Sequence, residues 1–212
     1  MSSVDGLIET VRVRMGRAPL WPLHAARLAR SAAALGLDLP PVTAPSGGAD
    51  RIVRIVARPG GAEIEERAVS PAAPIDLVFS RVPHLPYPHK MTARARFDGA
   101  LREAEQGGAG EPLLVTEAGW VAECARWALF WWEGERLAAP PLTLGILPSV
   151  ARARIEALVG GIVERRVTRE TLPRRGLFLA NAARGIVEVA SLHGETAPPE
   201  ARTAALAAHF WP

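Results

Sequence analysis

Three prolines within six residues divide the sequence at positions 83–88, which read PHLPYP. Proline has no backbone N–H and restricts the residue before it, so this segment fits neither a helix interior nor a central strand. We therefore predict a small domain at residues 1–82 and a larger one at residues 89–212, joined by a linker at residues 83–88. A chain of 212 residues is long enough to bury a sizeable apolar core.

The smaller unit has the sequence patterns of a mixed helix and strand structure. Residues 7–14 alternate and are rich in β-branched side chains, which predicts a strand. Pro22 is placed to open a helix that runs to Leu35 and stops at Gly36. A loop rich in proline, glycine and serine follows at residues 40–48. Further strands are predicted at residues 51–58, 63–68 and 75–79.

The larger unit opens with a predicted helix at residues 91–105, which is ended by Gly107. Short strands separated by turn residues are predicted after it, at residues 113–116, 120–124, 128–132, 136–138, 176–181 and 186–190. Two more helices are predicted at residues 149–159 and 199–210. The fold class is therefore α/β (α+β), and two such domains would leave a cleft between them with Lys90 at its edge.

Composition and charge exclude several functional classes. The 25 basic residues are interleaved with 22 acidic ones and form no run longer than a pair, so nucleic-acid binding is not predicted. Cys124 is the only cysteine, which excludes an internal disulfide and a cysteine-cluster metal site. No apolar run approaches the roughly 20 residues that span a bilayer. The polar start at residues 1–5 is unlike a signal peptide. We therefore predict a cytoplasmic protein without membrane association.

Lys90 is the only lysine among the 25 basic residues, since the other 24 are arginine. Arginine can replace lysine at solvated surfaces and at phosphate contacts, but a guanidinium stays protonated and is a poor nucleophile. A primary amine can be deprotonated in a suitable pocket and attack a carbonyl group. Lys90 is therefore a candidate for covalent chemistry. The alternative is an ordinary surface lysine that a drift toward arginine has spared.

Six segments follow one another in the order found in a known enzyme family. They read DGLIETVR at residues 5–12, HAARLARSA at 24–32, HKMTARARFD at 89–98, GWVAECARWALF at 119–130, GILP at 145–148 and LANAARG at 179–185. Together they resemble the class IV (fold type IV) aminotransferases and the related aminodeoxychorismate lyases, which use pyridoxal phosphate (PLP). The third segment is similar to the lyase-like motif H-K-T-T-x-R-x-x-Y-D, whose lysine binds the cofactor.

The resemblance implies a two-domain fold type IV enzyme, similar to D-amino acid aminotransferase, with a shortened small N-terminal domain. Lys90 would bind the PLP cofactor covalently and then act as the base that moves the substrate's Cα proton. Glu123 would pair with the pyridine nitrogen and keep it protonated, so that the ring can accept electrons from Cα. Without the surrounding motif, Glu123 would be interpreted as a surface glutamate on a strand.

The same resemblance implies a site for the cofactor's phosphate. Arg27 would contact the phosphate, since a guanidinium can bind this anion through two donors. The N–H groups of Val150 and Ala151, at the start of the helix predicted at 149–159, would be further donors. Asn181 and Ala182 would complete the phosphate or substrate-carboxylate site. The alternatives are a helix-surface arginine and an ordinary helix start.

Several positions depart from the family pattern. Ala128 stands where the family usually has asparagine, and Met91 replaces a threonine beside the lysine. Ser149 and Ala151 replace a common glycine and threonine, which would weaken phosphate binding. These departures leave open a degenerate, non-catalytic member of the PLP fold.

The motifs around Lys90 and Asn181 are closer to the lyase group than to the branched-chain aminotransferases. They favour an aminodeoxychorismate lyase that releases pyruvate and 4-aminobenzoate, a step toward folate. The alternative activity is a class IV aminotransferase acting on branched-chain or D-amino acids. Either enzyme would take a small amino-group substrate, and the resemblance implies a homodimer.

Overall fold

The computed structural model describes residues 5–71 and 73–212, so most of the polar start predicted at residues 1–5 lies outside the described part. The helices of this part are α1 (Trp21–Leu35), α2 (Asp98–Gln106), α3 (Val150–Val159) and α4 (Ala201–Ala208). The strands are β1 (Leu7–Val13), β2 (Arg51–Arg58), β3 (Gly61–Arg67), β4 (Ile75–Phe79), β5 (Glu111–Val115), β6 (Val121–Cys124), β7 (Ala128–Glu133), β8 (Arg136–Ala139), β9 (Val163–Glu164), β10 (Phe178–Asn181), β11 (Gly185–Leu192) and β12 (Glu195–Thr196).

The N-terminal part is a small antiparallel sheet in the order β1-β2-β3. Val11 and Val13 of β1 pack with Val53 and Ile55 of β2 in a core of branched side chains, which suit a pleated and half-buried surface. Helix α1 lies against β1 and ends at Gly36, whose φ of 63° is left-handed, as predicted for this stop. The edge strand β3 is exposed along its whole length.

The larger sheet has nine strands in the described residues, ordered β6-β5-β4-β11-β10-β7-β8-β9, with β12 paired to β11. β4 forms parallel pairs with β5 and β11. We expected residues 75–79 in the small domain, but β4 belongs to the larger sheet, where Leu77 and Phe79 join its core. The alternating pattern of these residues indicates a strand without indicating its partner. The chain therefore enters the larger sheet before the proline-rich segment.

The predicted helix at residues 91–105 begins later than expected. Residues 90–92 instead run beside β1, because Ile8 N–H donates to the Lys90 carbonyl at 2.7 Å and Thr92 N–H donates to the Gly6 carbonyl at 3.1 Å. A short 3-10 turn at Ala95–Phe97 then leads into α2. Gly6 also lies tightly against β2, because a Cβ there would lie 2.7 Å from the Ala57 carbonyl oxygen. Lys90 is thus held by its backbone against β1.

The proline-rich segment is also fixed by backbone hydrogen bonds. His84 N–H donates to the Val115 carbonyl at 2.8 Å, and Tyr87 N–H donates to the Gly145 carbonyl at 2.7 Å. Gly145 has a φ of 75°, and a Cβ there would lie 2.8 Å from Pro86 Cβ. The segment therefore packs closely on the larger part of the molecule, and it carries Lys90 from that surface to β1.

Aromatic residues fill the interior of the larger part. Trp127 and Trp131 are buried in one apolar cluster, and Phe130 stacks on Phe178 in a second, with ring centroids 5.2 Å apart. Trp132 donates from Nε1 to Thr203 Oγ1 at 3.0 Å, which fixes α4 against β7. These aromatic side chains therefore contribute to the packed interior of the larger part.

Candidate active site

A cavity of about 770 Å³ is lined by residues of both sheets and of the chain around Lys90. Its size is within the roughly 300–1,000 Å³ of small-molecule sites. Six of the predicted site residues line it, namely Lys90, Arg27, Glu123, Val150, Asn181 and Ala182. Ala151, the seventh, is fully buried and is not part of the cavity wall.

The Lys90 amine reaches into this cavity from beside β1. Its Nζ donates to Thr10 Oγ1 at 3.3 Å. Burial, followed by the nearby charge of Arg27, lowers the pKa of Lys90 from 10.5 to about 7. A substantial fraction of the amine is therefore neutral near pH 7, the form that can attack a carbonyl. Thr10 was not predicted from the sequence, although it lies within the segment DGLIETVR.

Glu123 places one unsatisfied carboxyl oxygen in the buried wall of the cavity. It lies on β6 and is 7% exposed. Its Oε2 accepts a hydrogen bond from Leu147 N–H at 3.1 Å, while Oε1 is buried without a hydrogen-bond partner among the described residues. Burial raises the pKa of Glu123 from 4.5 to about 8, so the carboxyl is mostly protonated near neutral pH.

His84 stands beside Glu123 and was missed because the proline-rich segment was interpreted as a linker. His84 Nδ1 lies 3.7 Å from Glu123 Oε1, and it too is buried without a partner in the described residues. The other ring nitrogen, Nε2, lies 3.2 Å from the Leu144 carbonyl oxygen. A carbonyl only accepts, so in the neutral ring Nε2 carries the proton and Nδ1 is an acceptor. Burial lowers the pKa of His84, which favours this neutral form.

Arg27 is held from behind by a buried carboxylate. Its Nε donates to Glu9 Oε1 at 2.9 Å and its Nη2 donates to Glu9 Oε2 at 2.5 Å. His24 Nδ1 lies 2.5 Å from the same Oε2. Burial alone would raise the pKa of Glu9, but the charge of Arg27 and the hydrogen bonds of His24 and Arg27 lower it to about 2. Arg27 is therefore an ordered, buried guanidinium rather than a helix-surface arginine.

The start of α3 leaves free backbone donors beside the cavity. Ser149 is the N-cap, and its Oγ accepts from Arg152 N–H at 3.0 Å. The Ser149 carbonyl accepts from Ala153 N–H at 3.1 Å. The N–H groups of Val150 and Ala151 have no such partner in the described part of the chain, so they remain available to an anion. The serine that replaces the family's glycine thus acts as a helix cap.

Asn181 holds a turn rather than presenting its carbonyl oxygen to the cavity. Its Oδ1 accepts from Ala183 N–H at 3.1 Å and from Arg184 N–H at 2.8 Å. These bonds fix the turn between β10 and β11, which includes Ala182. The side-chain oxygen of Asn181 is therefore already occupied by the turn. A ligand contact in this region is better made by the turn itself than by that oxygen.

Arg94 is a third residue that was not predicted from the sequence. It lines the cavity, donates from Nη2 to the Ala125 carbonyl at 2.7 Å, and lies 4.8 Å from the centre of the Phe97 ring. Its charge favours the ionised form of Glu123 and the neutral form of Lys90. The arginine in the motif H-K-T-T-x-R is the signal that could have identified it.

The sequence profile of the family described as "Amino-transferase class IV" matches residues 43–192, more than two thirds of the chain. The chain therefore belongs to the class IV aminotransferase family, and the predicted enzyme class, lyase or aminotransferase, is confirmed. The match includes Lys90, Glu123 and Asn181, whereas Glu9 and Arg27 precede it. Among curated proteins, none is significantly similar in sequence.

Solved structures share the fold over almost the whole chain. A branched-chain aminotransferase from Thermoproteus uzoniensis is 21% identical, with a TM-score of 0.82 over 97% of this chain and 84% of that one. A protein from Legionella pneumophila described as a 4-amino-4-deoxychorismate lyase is 21% identical, with a TM-score of 0.81 over 97% and 91%. A hypothetical aminotransferase from Mycobacterium tuberculosis in its PLP-bound form is 20% identical, with a TM-score of 0.80 over 97% and 87%. The predicted fold type IV is thereby confirmed.

The comparisons also agree with the predicted cofactor, because the Mycobacterium tuberculosis structure contains PLP. They include both a lyase and an aminotransferase, so they do not distinguish the two activities. None of the helices in residues 5–71 and 73–212 is long and apolar enough to cross a membrane.

Proposed function

We propose that this chain is a PLP-dependent enzyme in which Lys90 binds the cofactor covalently. The observation that carries the proposal is that one cavity holds a lysine amine whose pKa is lowered to about 7 and the Oε1 of Glu123, which has no hydrogen-bond partner among the described residues. The phosphate of the cofactor would be bound by Arg27 and by the N–H groups of Val150 and Ala151. The cofactor supplies an electron sink that stabilises negative charge at the substrate's Cα.

Each residue of the cavity then has a separate task. Lys90 would hold the cofactor through Nζ, and the same atom, once free, would accept the Cα proton. Glu123 holds a proton at Oε1, the position where a pyridine nitrogen would complete its missing hydrogen bond. Arg27 and the start of α3 orient the cofactor by its phosphate.

For the specific reaction we propose an aminodeoxychorismate lyase that releases pyruvate and 4-aminobenzoate. The segments HKMT and NAARG support this choice, and so does the fold shared with the Legionella pneumophila protein. Arg54, Arg67 and Arg184 also line the cavity, and their charges suit a substrate that carries two carboxylates. The same proposal includes a cytoplasmic homodimer.

The second candidate is a class IV aminotransferase for branched-chain or D-amino acids, which the fold shared with the Thermoproteus uzoniensis enzyme favours. The two reactions differ after removal of the Cα proton. An aminotransferase releases a keto acid and then requires a second keto acid, whereas the lyase needs no second substrate because loss of pyruvate aromatises the ring.

Two experiments test these proposals. Borohydride reduction of the PLP-loaded protein followed by peptide mapping should place a pyridoxyl group on Lys90. An unmodified Lys90 in a protein that takes up no PLP would leave only a non-catalytic member of the fold. The second experiment supplies aminodeoxychorismate without a keto acid and, separately, L- and D-amino acids with 2-oxoglutarate or pyruvate. We expect 4-aminobenzoate in the first arm, and amino transfer in the second arm alone would favour the aminotransferase.

A further inference from the structure

A buried cluster of Glu9, His24 and Arg27 lies at one wall of the cavity. Glu9 is 2% exposed, His24 is fully buried and Arg27 is 5% exposed. Of these three residues only Arg27 lines the cavity. Glu9 is therefore separated from any bound molecule and can act on it only through Arg27.

Glu9 determines which donors of Arg27 remain available. Its two carboxylate oxygens accept from Nε and Nη2 of the guanidinium, a two-point contact that fixes the guanidinium plane as well as its position. Nη1 has no partner among the described residues. A free arginine side chain loses rotamer entropy on binding an anion, and Glu9 removes much of that freedom beforehand.

His24 supports the carboxylate from another direction. Its Nδ1 lies 2.5 Å from Glu9 Oε2, and the acidic partner makes Nδ1 the protonated nitrogen. His24 and Arg27 are three residues apart on α1, so both side chains lie on one face of the helix toward β1. Oε2 therefore accepts from two donors, which leaves the carboxylate little freedom to rotate.

We propose that Glu9 is a positioning residue that holds Arg27, with His24 in support, in the orientation that binds the phosphate of the cofactor. This inference rests on the proposed function, because it takes PLP as the ligand. Glu9 has a second effect, because the negative charge of Glu9 opposes the effect of the Arg27 charge on the nearby Lys90 amine.

The second effect has a defined direction. The charge of Arg27 lowers the pKa of Lys90, while the charge of Glu9 raises it. Removal of the Glu9 charge should therefore lower the pKa of Lys90 below about 7, and removal of the Arg27 charge should raise it. Because Lys90 is the only lysine, an amine reagent followed by peptide mapping reports this one side chain.

The first test compares two ligands that differ only in the phosphate. Cofactor-free parent and Glu9→Gln proteins are titrated with PLP and with pyridoxal, which lacks the phosphate. We expect Glu9→Gln to reduce the preference for PLP over pyridoxal by at least about tenfold, the scale of one charge-assisted hydrogen bond. The affinity for pyridoxal itself should be preserved. Glu63→Gln is the matched control, because Glu63 is exposed and paired with Arg58.

A preference for PLP that is unchanged in Glu9→Gln would overturn the inference. A parent protein that binds neither ligand and forms no adduct on Lys90 would instead overturn the proposed function. If Glu9→Gln does not fold, His24→Leu replaces it, because this change removes a donor to Glu9 and leaves both charges in place. His24→Leu should weaken the preference for PLP to a smaller extent, and an unchanged preference would again overturn the inference.

The second test follows the pH dependence of Lys90 labelling in the cofactor-free proteins. Half-maximal labelling should move to lower pH in Glu9→Gln and to higher pH in Arg27→Met, whereas Arg30→Met, at an exposed position of α1, should leave it unchanged. A merely structural role of Glu9 would not produce opposite shifts. Shifts in the same direction would contradict the assignment.

Discussion

His84 Nδ1 and Glu123 Oε1 face each other at 3.7 Å, and both are buried atoms without a hydrogen-bond partner in the described residues. Nε2 of the histidine is directed at the Leu144 carbonyl, so Nδ1 presents a lone pair to the carboxyl group. A movement of about 0.5 Å would bring the pair within hydrogen-bonding range. In the cofactor-free protein, His84 Nδ1 can therefore accept a hydrogen bond from protonated Glu123. In the proposed complex, the pyridine nitrogen of the cofactor would replace His84 as the acceptor.

The protonation of Glu123 should be visible in the stability of the cofactor-free protein. The pKa of Glu123 is raised from 4.5 to about 8, so between these values the folded state binds more protons than the unfolded state. The contribution of Glu123 to the free energy of unfolding is therefore present below pH 4.5 and lost as pH rises to about 8. We expect Glu123→Gln to abolish this loss.

Urea unfolding at a series of pH values measures this effect. Glu63→Gln, at an exposed ion pair, should retain the pH dependence of the parent. Glu123→Gln should also retain cofactor binding while turnover slows, because the ring nitrogen loses its charged partner. An unfolding free energy that falls as steeply with pH in Glu123→Gln as in the parent would contradict the assignment.

Replacing His84 should change the same pH dependence in a different way. His84→Phe removes the nitrogen that faces Glu123 Oε1 as an acceptor, so the neutral carboxyl is less favoured and the pKa of Glu123 falls. The pH at which the loss of stability is complete should then fall below the parental value of about 8. His84 itself titrates below 6.5, since burial lowers its pKa, so its own titration lies below the upper end of the Glu123 window at about 8. An upper limit that stays at its parental pH would show that His84 does not act on Glu123.

Lys90 should produce a pH dependence of opposite sign. Its pKa is lowered from 10.5 to about 7, so between these values the unfolded state binds more protons and stability rises with pH. We expect thermal unfolding of the cofactor-free parent to move to higher temperature from pH 7 toward 10, and Lys90→Met to lack this rise. Arg30→Met, at an exposed position on α1, is the control. A rise that persists in Lys90→Met would contradict the lowered pKa.

Most strands and six of the cavity residues could be predicted from the sequence, for physical reasons that differ between elements. Residues 7–14 were predicted as a strand from their alternation and residues 51–58 from their strand-like sequence, and both strands formed. Lys90, Glu123 and Arg27 were identified because they stand in short motifs around the cavity. The local sequence pattern was sufficient to predict those elements whose structure depends on their own residues.

Long-range hydrogen bonds explain what the sequence did not reveal. Residues 91–94 have helical propensity, but the strand β1 binds residues 90–92 through backbone groups that no local pattern displays. Likewise, the alternation in β4 predicts a strand but does not indicate which sheet the strand joins. His84 lies among prolines that suggested a linker, and its proximity to Glu123 depends on a contact across 39 positions of the chain.

The helix cap of α3 gives the last prediction. Ser149 Oγ binds Arg152 N–H, so Ser149→Ala should reduce the free energy of unfolding by about 1 kcal/mol, a typical cost of losing an N-cap. Ser149→Thr retains a hydroxyl acceptor and should lose less. Because the cap orders the first turn, the N–H groups of Val150 and Ala151 should also be less well fixed in Ser149→Ala.

Cofactor titration separates this local effect from general destabilisation. Ser149→Ala should bind PLP more weakly, while its affinity for pyridoxal stays at the level of the parent, because in the proposed binding mode only the phosphate would contact the start of α3. Urea unfolding of the cofactor-free proteins checks the stability change independently. Equal weakening of PLP and pyridoxal binding would show that the substitution disturbs the cavity as a whole, and unchanged binding of both would place the phosphate away from α3.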